Sequence, residues 1–251
     1  MDIWKFFAIG HEHHVFCNPL GEPKFDELIE RLAFPEAARV LDIACGKAEL
    51  LVRIARRWAC TGVGVDLSPH FVADARAKVA AADLESTITI VEGEGSRYDG
   101  KAGSFDAAMC LGASWIFGGH GETLDALSTW AKPGGLLVVG EPFFRGEPSA
   151  EYLTARGMTR ESFDSHQGNV QQGLDRGLGF LYSVVSTPDD WDRYEGLQCD
   201  AAERYARENP NDPDVPAILS GIRRARDQYL RWGRDELGWA VYVFLKNPVE
   251  V

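Results

Sequence analysis

Apolar residues recur along this chain in two alternating rhythms. Short runs rich in β-branched and other apolar residues fall at roughly residues 39–43, 61–66, 87–92, 105–110 and 135–141. Between them apolar positions return every three or four residues, as at Leu50, Leu51, Ile54, Ala55 and Trp58. The first rhythm suits strands buried on both faces; the second suits helices lying on those faces. Ser68-Pro69 reads as the cap and first turn of a further helix running to about Ala81. Such alternation predicts an α/β fold with a parallel, doubly wound sheet. A helix is predicted over 159–178, with Phe163, Val170 and Leu174 on one face, and residues 180–186 read as a sixth strand. Residues 239–245 alternate and are rich in β-formers, which makes them a seventh.

Two segments stand outside this alternation. Residues 1–38 carry Trp4, Phe6, Phe7 and Ile9, then His11, His13 and His14, with a helix predicted over 23–32. Residues 188–236 separate the sixth and seventh strands and read as two helices broken at Asn209-Pro210-Asn211-Asp212-Pro213. In the second helix Ile218, Ile222, Ala225, Tyr229 and Trp232 form a stripe that predicts packing on neighbouring elements. The expected organisation is a helical cover (1–38), a sheet domain (39–187 with 237–251) and a helical cap insertion (188–236). Cover and cap would lie over the carboxyl edge of the sheet, where doubly wound folds bind ligands.

Composition narrows the function. The 251 residues carry a formal charge of −12, with no Lys/Arg run long enough to track a phosphate backbone, which argues against nucleic acid. Arg223-Arg224-Ala225-Arg226 is followed closely by acids and reads as a solvated helix face. Five cysteines at 17, 45, 60, 110 and 199 form no Cys-x-x-Cys, a usage that fits a reducing compartment. No segment of membrane-spanning length is free of charges, and the N-terminus lacks a basic stretch leading into an apolar run. A cytoplasmic protein without membrane or nucleic-acid partners is expected.

Chemistry concentrates in Val40-Leu41-Asp42-Ile43-Ala44-Cys45-Gly46-Lys47-Ala48-Glu49, a strand, a tight turn and a helix start. Glycine at 46 lets the backbone approach a ligand. Asp66, closing Gly62-Val63-Gly64-Val65-Asp66, follows Gly46 by 20 residues, a spacing at which an acid meets ribose hydroxyls. A dinucleotide fingerprint would need glycines where this chain has Ala44 and Glu49. A glutamate there suits a diphosphate badly, and Asp42 suits a cation rather than an anion.

The D-x-A-x-G-x-A pattern resembles motif I of the class I S-adenosylmethionine (SAM) methyltransferases, which more often have glycine at positions 44 and 48. Val91-Glu92-Gly93-Glu94-Gly95, Phe105-Asp106-Ala107-Ala108-Met109-Cys110 and Lys132-Pro133-Gly134-Gly135 through Glu141 are similar to the family's later motifs, in the family's order. The resemblance spans residues 36–145. It implies a Rossmann-like, seven-stranded, mostly parallel sheet, here with N-terminal helices and a helical insertion between strands six and seven. It implies SAM as cofactor, with Asp42, Ala44, Gly46, Asp66, Leu67, Glu94, Gly95 and Leu111 around it. Asp66 would take the ribose and Glu94 the adenine amino group.

The layout is similar to that of uncharacterised bacterial small-molecule methyltransferases with a helical cap. The Asn/Asp-Pro-Pro-aromatic signature of enzymes acting on nucleobases or amides is absent after the fourth strand, where Leu111-Gly112-Ala113-Ser114-Trp115 stands. The expected reaction is therefore methyl transfer to a nitrogen or oxygen of a small molecule in a covered pocket. His14 and Glu141 are the candidate bases. His11, His13, Trp115, Phe144, Arg145, Trp191 and Tyr194 are the candidate acceptor contacts. No metal is expected, since His11, His13, His14 and Cys17 come from one short segment. The alternative is a SAM- or nucleoside-binding module without transfer activity, acting as a regulatory partner.

Overall fold

The computed structural model describes residues 2–247. Met1 of the expected cover and residues 248–251 of the expected sheet domain lie outside the described residues. Two helices open the chain, α1 (Ile3–Gly10) and α2 (Glu22–Leu32). The strands are β1 (Arg39–Ile43), β2 (Thr61–Asp66), β3 (Ile88–Glu92), β4 (Phe105–Leu111), β5 (Ala131–Phe144), β6 (Gly179–Val185) and β7 (Leu237–Leu245). Between them lie α3 (Glu49–Trp58), α4 (Pro69–Ala81), α5 (His120–Trp130), α6 (Ala150–Arg156), α7 (His166–Leu174), α8 (Pro188–Glu208) and α9 (Val215–Gln228).

Among the described residues the strands form one sheet in the order β3-β2-β1-β4-β5-β7-β6. Neighbours from β3 to β5 pair in parallel, and β7 runs antiparallel to both β5 and β6. The period-two alternation sends successive residues to opposite layers. Val40, Met109, Val138 and Val241 join the layer covered by α2, α3 and α4. Leu41, Ala108, Leu137 and Tyr242 join the layer covered by α5 and α7. The order reverses between β1 and β4, so the loops after these strands diverge and leave a crevice at the carboxyl edge.

The predicted helix over 159–178 is broken. Thr159 and Ser162 cap each other around a single tight turn, and Ser165 then caps α7 by accepting from Gly168 N at 3.0 Å. Phe163 lies in the extended stretch between, against Phe144. β5 is also longer than the reading of 135–141, because its far end pairs with β7 through Phe144↔Leu237.

The cap is assembled from both segments outside the alternation. α1 packs on α8 and α9 around Ile9, Ala202, Ile218 and Ile222, an apolar cluster separate from the two sheet layers. Lys5 of α1 reaches Asp212 and Asp214 between α8 and α9, at 2.7 and 2.8 Å. Asp190, in the capping box of α8, accepts from Gly21 N at 3.1 Å and from Lys24 Nζ at 2.6 Å. The stripe on α9 is buried at Ile218, Ile222 and Tyr229, the last inside a π-helical turn at Tyr229–Gly233.

Candidate active site

The crevice at the carboxyl edge opens into a cavity of about 520 Å³. Its floor is the turn after β1. Ala44, Gly46 and Ala48 all take left-handed backbone conformations, with φ of 57°, 54° and 57°. Alternating handedness of this kind turns successive N–H groups inward, and the start of α3 follows directly. Gly46 is needed for its φ rather than for space, since a Cβ there would meet Cys17 Sγ at an ordinary 3.7 Å. The alanines adopt the same conformation at a cost of about 1–2 kcal/mol each.

Asp66 ends β2 and braces that turn. One carboxylate oxygen accepts from Gly46 N and the other from Ser68 N, both at 2.8 Å. Each oxygen keeps lone-pair capacity for a ligand hydroxyl. Asp42 lies within β1, buried in the cavity floor, and accepts no hydrogen bond from the described residues. Burial and the neighbouring Asp66 push its carboxyl up to about 8. A buried acid without a donor is costly to ionise until a cation arrives, so the floor fits a ligand bearing both positive charge and ribose hydroxyls. Leu67 and Trp115 line the same space and are apolar side chains left open to it, Trp115 being 72% exposed.

The opposite wall is aromatic. Trp4, Phe7 and His11 come from α1 and its C-cap, Phe71 from α4, and Tyr194 from α8. His11 Nδ1 lies 3.0 Å from Phe7 O, and its Nε2 lies 2.9 Å from Tyr194 Oη. Burial lowers the pKa of His11 to about 4, so its ring is neutral. Lys47, in the floor turn, donates to the carbonyls of His11, Glu12 and His14 at 2.7, 3.1 and 3.4 Å. Asn18 Nδ2 donates to Leu111 O at 3.1 Å, passing over Gly112, where a Cβ would stand 2.6 Å from it.

All eight residues expected around the cofactor line this cavity: Asp42, Ala44, Gly46, Asp66, Leu67, Glu94, Gly95 and Leu111. Of those expected around the acceptor, His11, Trp115 and Tyr194 line it. The others lie elsewhere. His13 points outward, 3.7 Å from Asp200. Phe144 is buried against Phe163, because β5 continues past Glu141. Arg145 donates to Leu237 O and lies over Phe143, making no pair with Glu141. Trp191 stacks on Tyr229 under the cap, its Nε1 without a partner among the described residues.

Neither candidate base lines the cavity. His14 borders a smaller hollow behind Tyr194 and bonds the Tyr194 carbonyl at 3.0 Å. Burial lowers its pKa to about 4, a poor match for proton removal near neutrality. Glu141 is enclosed inside β5, hydrogen-bonded by Ser114, and desolvation pushes it up to about 7. Trp4 and Phe7 belong to the segment expected over the open end of the site but were not named as contacts, and sequence reading missed Phe16, Cys17, Asn18, Lys47 and Phe71 as lining residues. The aromatic cluster at Trp4–Phe7 was the available signal; Lys47 and Asn18 carried none. Among the described residues no group of three or more His, Cys, Asp or Glu is placed to hold a metal, and no helix is long and apolar enough to cross a membrane.

Comparison with known proteins agrees with this architecture. Residues 40–135 match the family described as a methyltransferase domain. YjhP of Escherichia coli, an uncharacterised protein, is 30% identical over 247 residues, covering 98% of this chain and 99% of YjhP. A SAM-dependent methyltransferase from Geobacter sulfurreducens, solved with S-adenosylhomocysteine, superposes with a TM-score of 0.90 at 27% identity, covering 97% of this chain and 98% of that one. The corresponding enzyme from Thiobacillus denitrificans, also with S-adenosylhomocysteine, gives 0.88 at 30% identity, covering 97% and 99%. A seven-stranded sheet with one reversed strand, a cationic-ligand floor and full-length relatives of this kind lead to one assignment: the chain belongs to the class I SAM-dependent methyltransferases.

Proposed function

We propose that this enzyme methylates a nitrogen or oxygen of a small molecule held between the cofactor floor and the aromatic wall. The observation that carries this reading is the shape of the cavity. Its floor holds a braced acid, Asp66, beside an unbonded one, Asp42, and its far wall is Trp4, Phe7, Phe71 and Tyr194. In this reading Asp66 takes the ribose hydroxyls, Asp42 faces the ammonium of the methionine portion, and Glu94-Gly95 with Leu67 border the adenine. Bound SAM supplies a methyl already activated by its sulfonium. The chain's own task is then to hold the acceptor in line with it and to exclude water. α1 and α8, backed by α9, do the excluding, which suits a molecule small enough to be enclosed and not a duplex or a protein surface.

The test pairs binding with turnover. Calorimetry should show S-adenosylhomocysteine bound by the native protein. Turnover of labelled SAM with a fractionated metabolite extract should give a small labelled product. Label recovered only in protein or nucleic acid would reject the small-molecule acceptor.

A further inference from the structure

The hydrogen bonds around His11 have a direction that the partners dictate. Phe7 O is a carbonyl and can only accept, so His11 Nδ1 carries the ring hydrogen. His11 Nε2 is then a lone pair, and the 2.9 Å contact with Tyr194 must be Tyr194 O–H donating to it. The tyrosine hydrogen is thereby committed. What Oη has left for anything in the cavity is acceptor capacity alone.

Charge around the cavity points the same way. Lys47 is the cationic side chain among the described lining residues, and three backbone carbonyls occupy it. Glu49 is paired with Arg53 and Lys78, and Glu94 with Arg97. Asp42 and Asp66 lie in the floor, in the cofactor half. Among the described lining residues the aromatic half therefore holds no unpaired charged side chain, and a carboxylate or phosphate would meet only neutral groups there. Buried neutral His11 adds no charge.

We propose that Tyr194, held by His11 as a hydrogen-bond acceptor, makes this site select a methyl acceptor that presents an O–H or N–H hydrogen beside a flat aromatic ring over one that presents an anion there. The proposal rests on the reading of the cavity as the methyl-transfer site. Trp4, Phe7, Phe71 and Trp115 supply the faces for the ring, and Tyr194 Oη reads the hydrogen. An anionic acceptor would set its oxygens against an oxygen that cannot donate. His11 is a positioning residue: it fixes which way Tyr194 points its hydrogen.

The experiment uses the full chain loaded with S-adenosylhomocysteine and four probes: phenol, indole, benzoate and toluene. Binding is read by calorimetry or saturation-transfer NMR near neutral pH. Phenol and indole should bind saturably, about fivefold to tenfold more tightly than benzoate or toluene, the value of one well-placed hydrogen bond. Tyr194→Phe keeps the ring against His14 and Trp191 and removes the oxygen. It should erase that preference without changing affinity for S-adenosylhomocysteine. His11→Phe should free the tyrosine hydrogen and shift the preference towards benzoate.

Benzoate or toluene binding as well as phenol to the native protein would overturn the proposal. So would Tyr194→Phe weakening all four probes alike, or no saturable binding of phenol and indole at millimolar concentration. Failure of the underlying reading looks different: S-adenosylhomocysteine itself would not bind, or would bind equally to Asp66→Ala.

Discussion

Single residues in the floor carry separable roles. Asp66 both braces the Gly46 turn and faces the cavity. Asp66→Ala should weaken S-adenosylhomocysteine by about 2 kcal/mol or more, the worth of hydrogen bonds to a charged acceptor. Calorimetry on the folded variant checks this, and unchanged affinity would remove Asp66 from the site. Ala48 poses a different question, being an alanine at φ 57°. Glycine there would relieve about 1–2 kcal/mol of left-handed strain while adding about 0.4–1 kcal/mol of unfolded-chain entropy. Ala48 also buries its methyl in the core, worth about 0.8 kcal/mol, so Ala48→Gly should leave stability near unchanged in urea titrations. The same change at Ala202, buried within α8, should cost about 1 kcal/mol or more. Equal losses at both positions would mean that the turn is not strained. At this scale sequence reading went furthest where backbone and side chain are local. The acids closing or lining a strand, Asp42 and Asp66, and the turn glycine declare themselves by spacing. Glu141 does not, because whether it faces a crevice or is sealed inside a strand depends on how far β5 runs alongside β7.

Elements tell a similar story with a different limit. The strand positions followed from apolar runs because the inner strands β1, β4 and β7 are buried on both faces and lose polar interruptions, while the edge strands β3 and β6 keep apolar runs although partly exposed. The helix over 159–178 failed because its apolar spacing was sound, yet Thr159, Ser162 and Ser165 supply caps that divide it. The cap was legible as two segments, 1–38 and 188–236, but not as one body. The bonds that unite them, Lys5 to Asp212 and Lys24 to Asp190, join residues far apart in the chain. Within the cap Trp191 and Tyr194 were read as equivalent acceptor contacts, and their surroundings now separate them. Trp191 stacks on Tyr229, whose hydroxyl bonds Asp192 at 2.5 Å. Trp191→Ala should therefore lower stability by roughly 3 kcal/mol through lost packing. Tyr194→Phe should change acceptor affinity with little change in melting temperature. A Trp191 variant of native stability would contradict this division.

On the scale of the whole molecule, buried titratable groups set a pH profile. Asp42, Glu141 and Glu195 hold their protons up to about 8, 7 and 7 through desolvation, whereas an unfolded chain releases them near pH 4. The folded protein binds more protons than the unfolded one across that interval, so stability falls as pH rises from about 6 to 8. His11, His14 and His120, lowered to about 4 by burial, act in the opposite sense: unfolded imidazoles take up protons below about pH 6.5. Below that point the two sets oppose each other and the profile flattens. Melting temperatures without ligand should be higher at pH 6 than at pH 8, and S-adenosylhomocysteine should narrow the gap by giving ionised Asp42 a cationic neighbour. A melting temperature that rises between pH 6 and 8 would contradict the assignment.

Lys47 adds a consequence in time. The turn beneath the cofactor half and the segment above it are fastened to one another by its bonds to the carbonyls of His11, Glu12 and His14. A nucleoside bound in the cavity would lie beside this clasp, and its release is expected to depend on it. Lys47→Met should shorten the residence of S-adenosylhomocysteine several-fold in stopped-flow displacement, and identical release rates would show the clasp to be idle. A parallel rise in turnover of that variant would place the slow step of the catalytic cycle at the departure of the spent cofactor, so that the same bonds that keep water out would also set the pace.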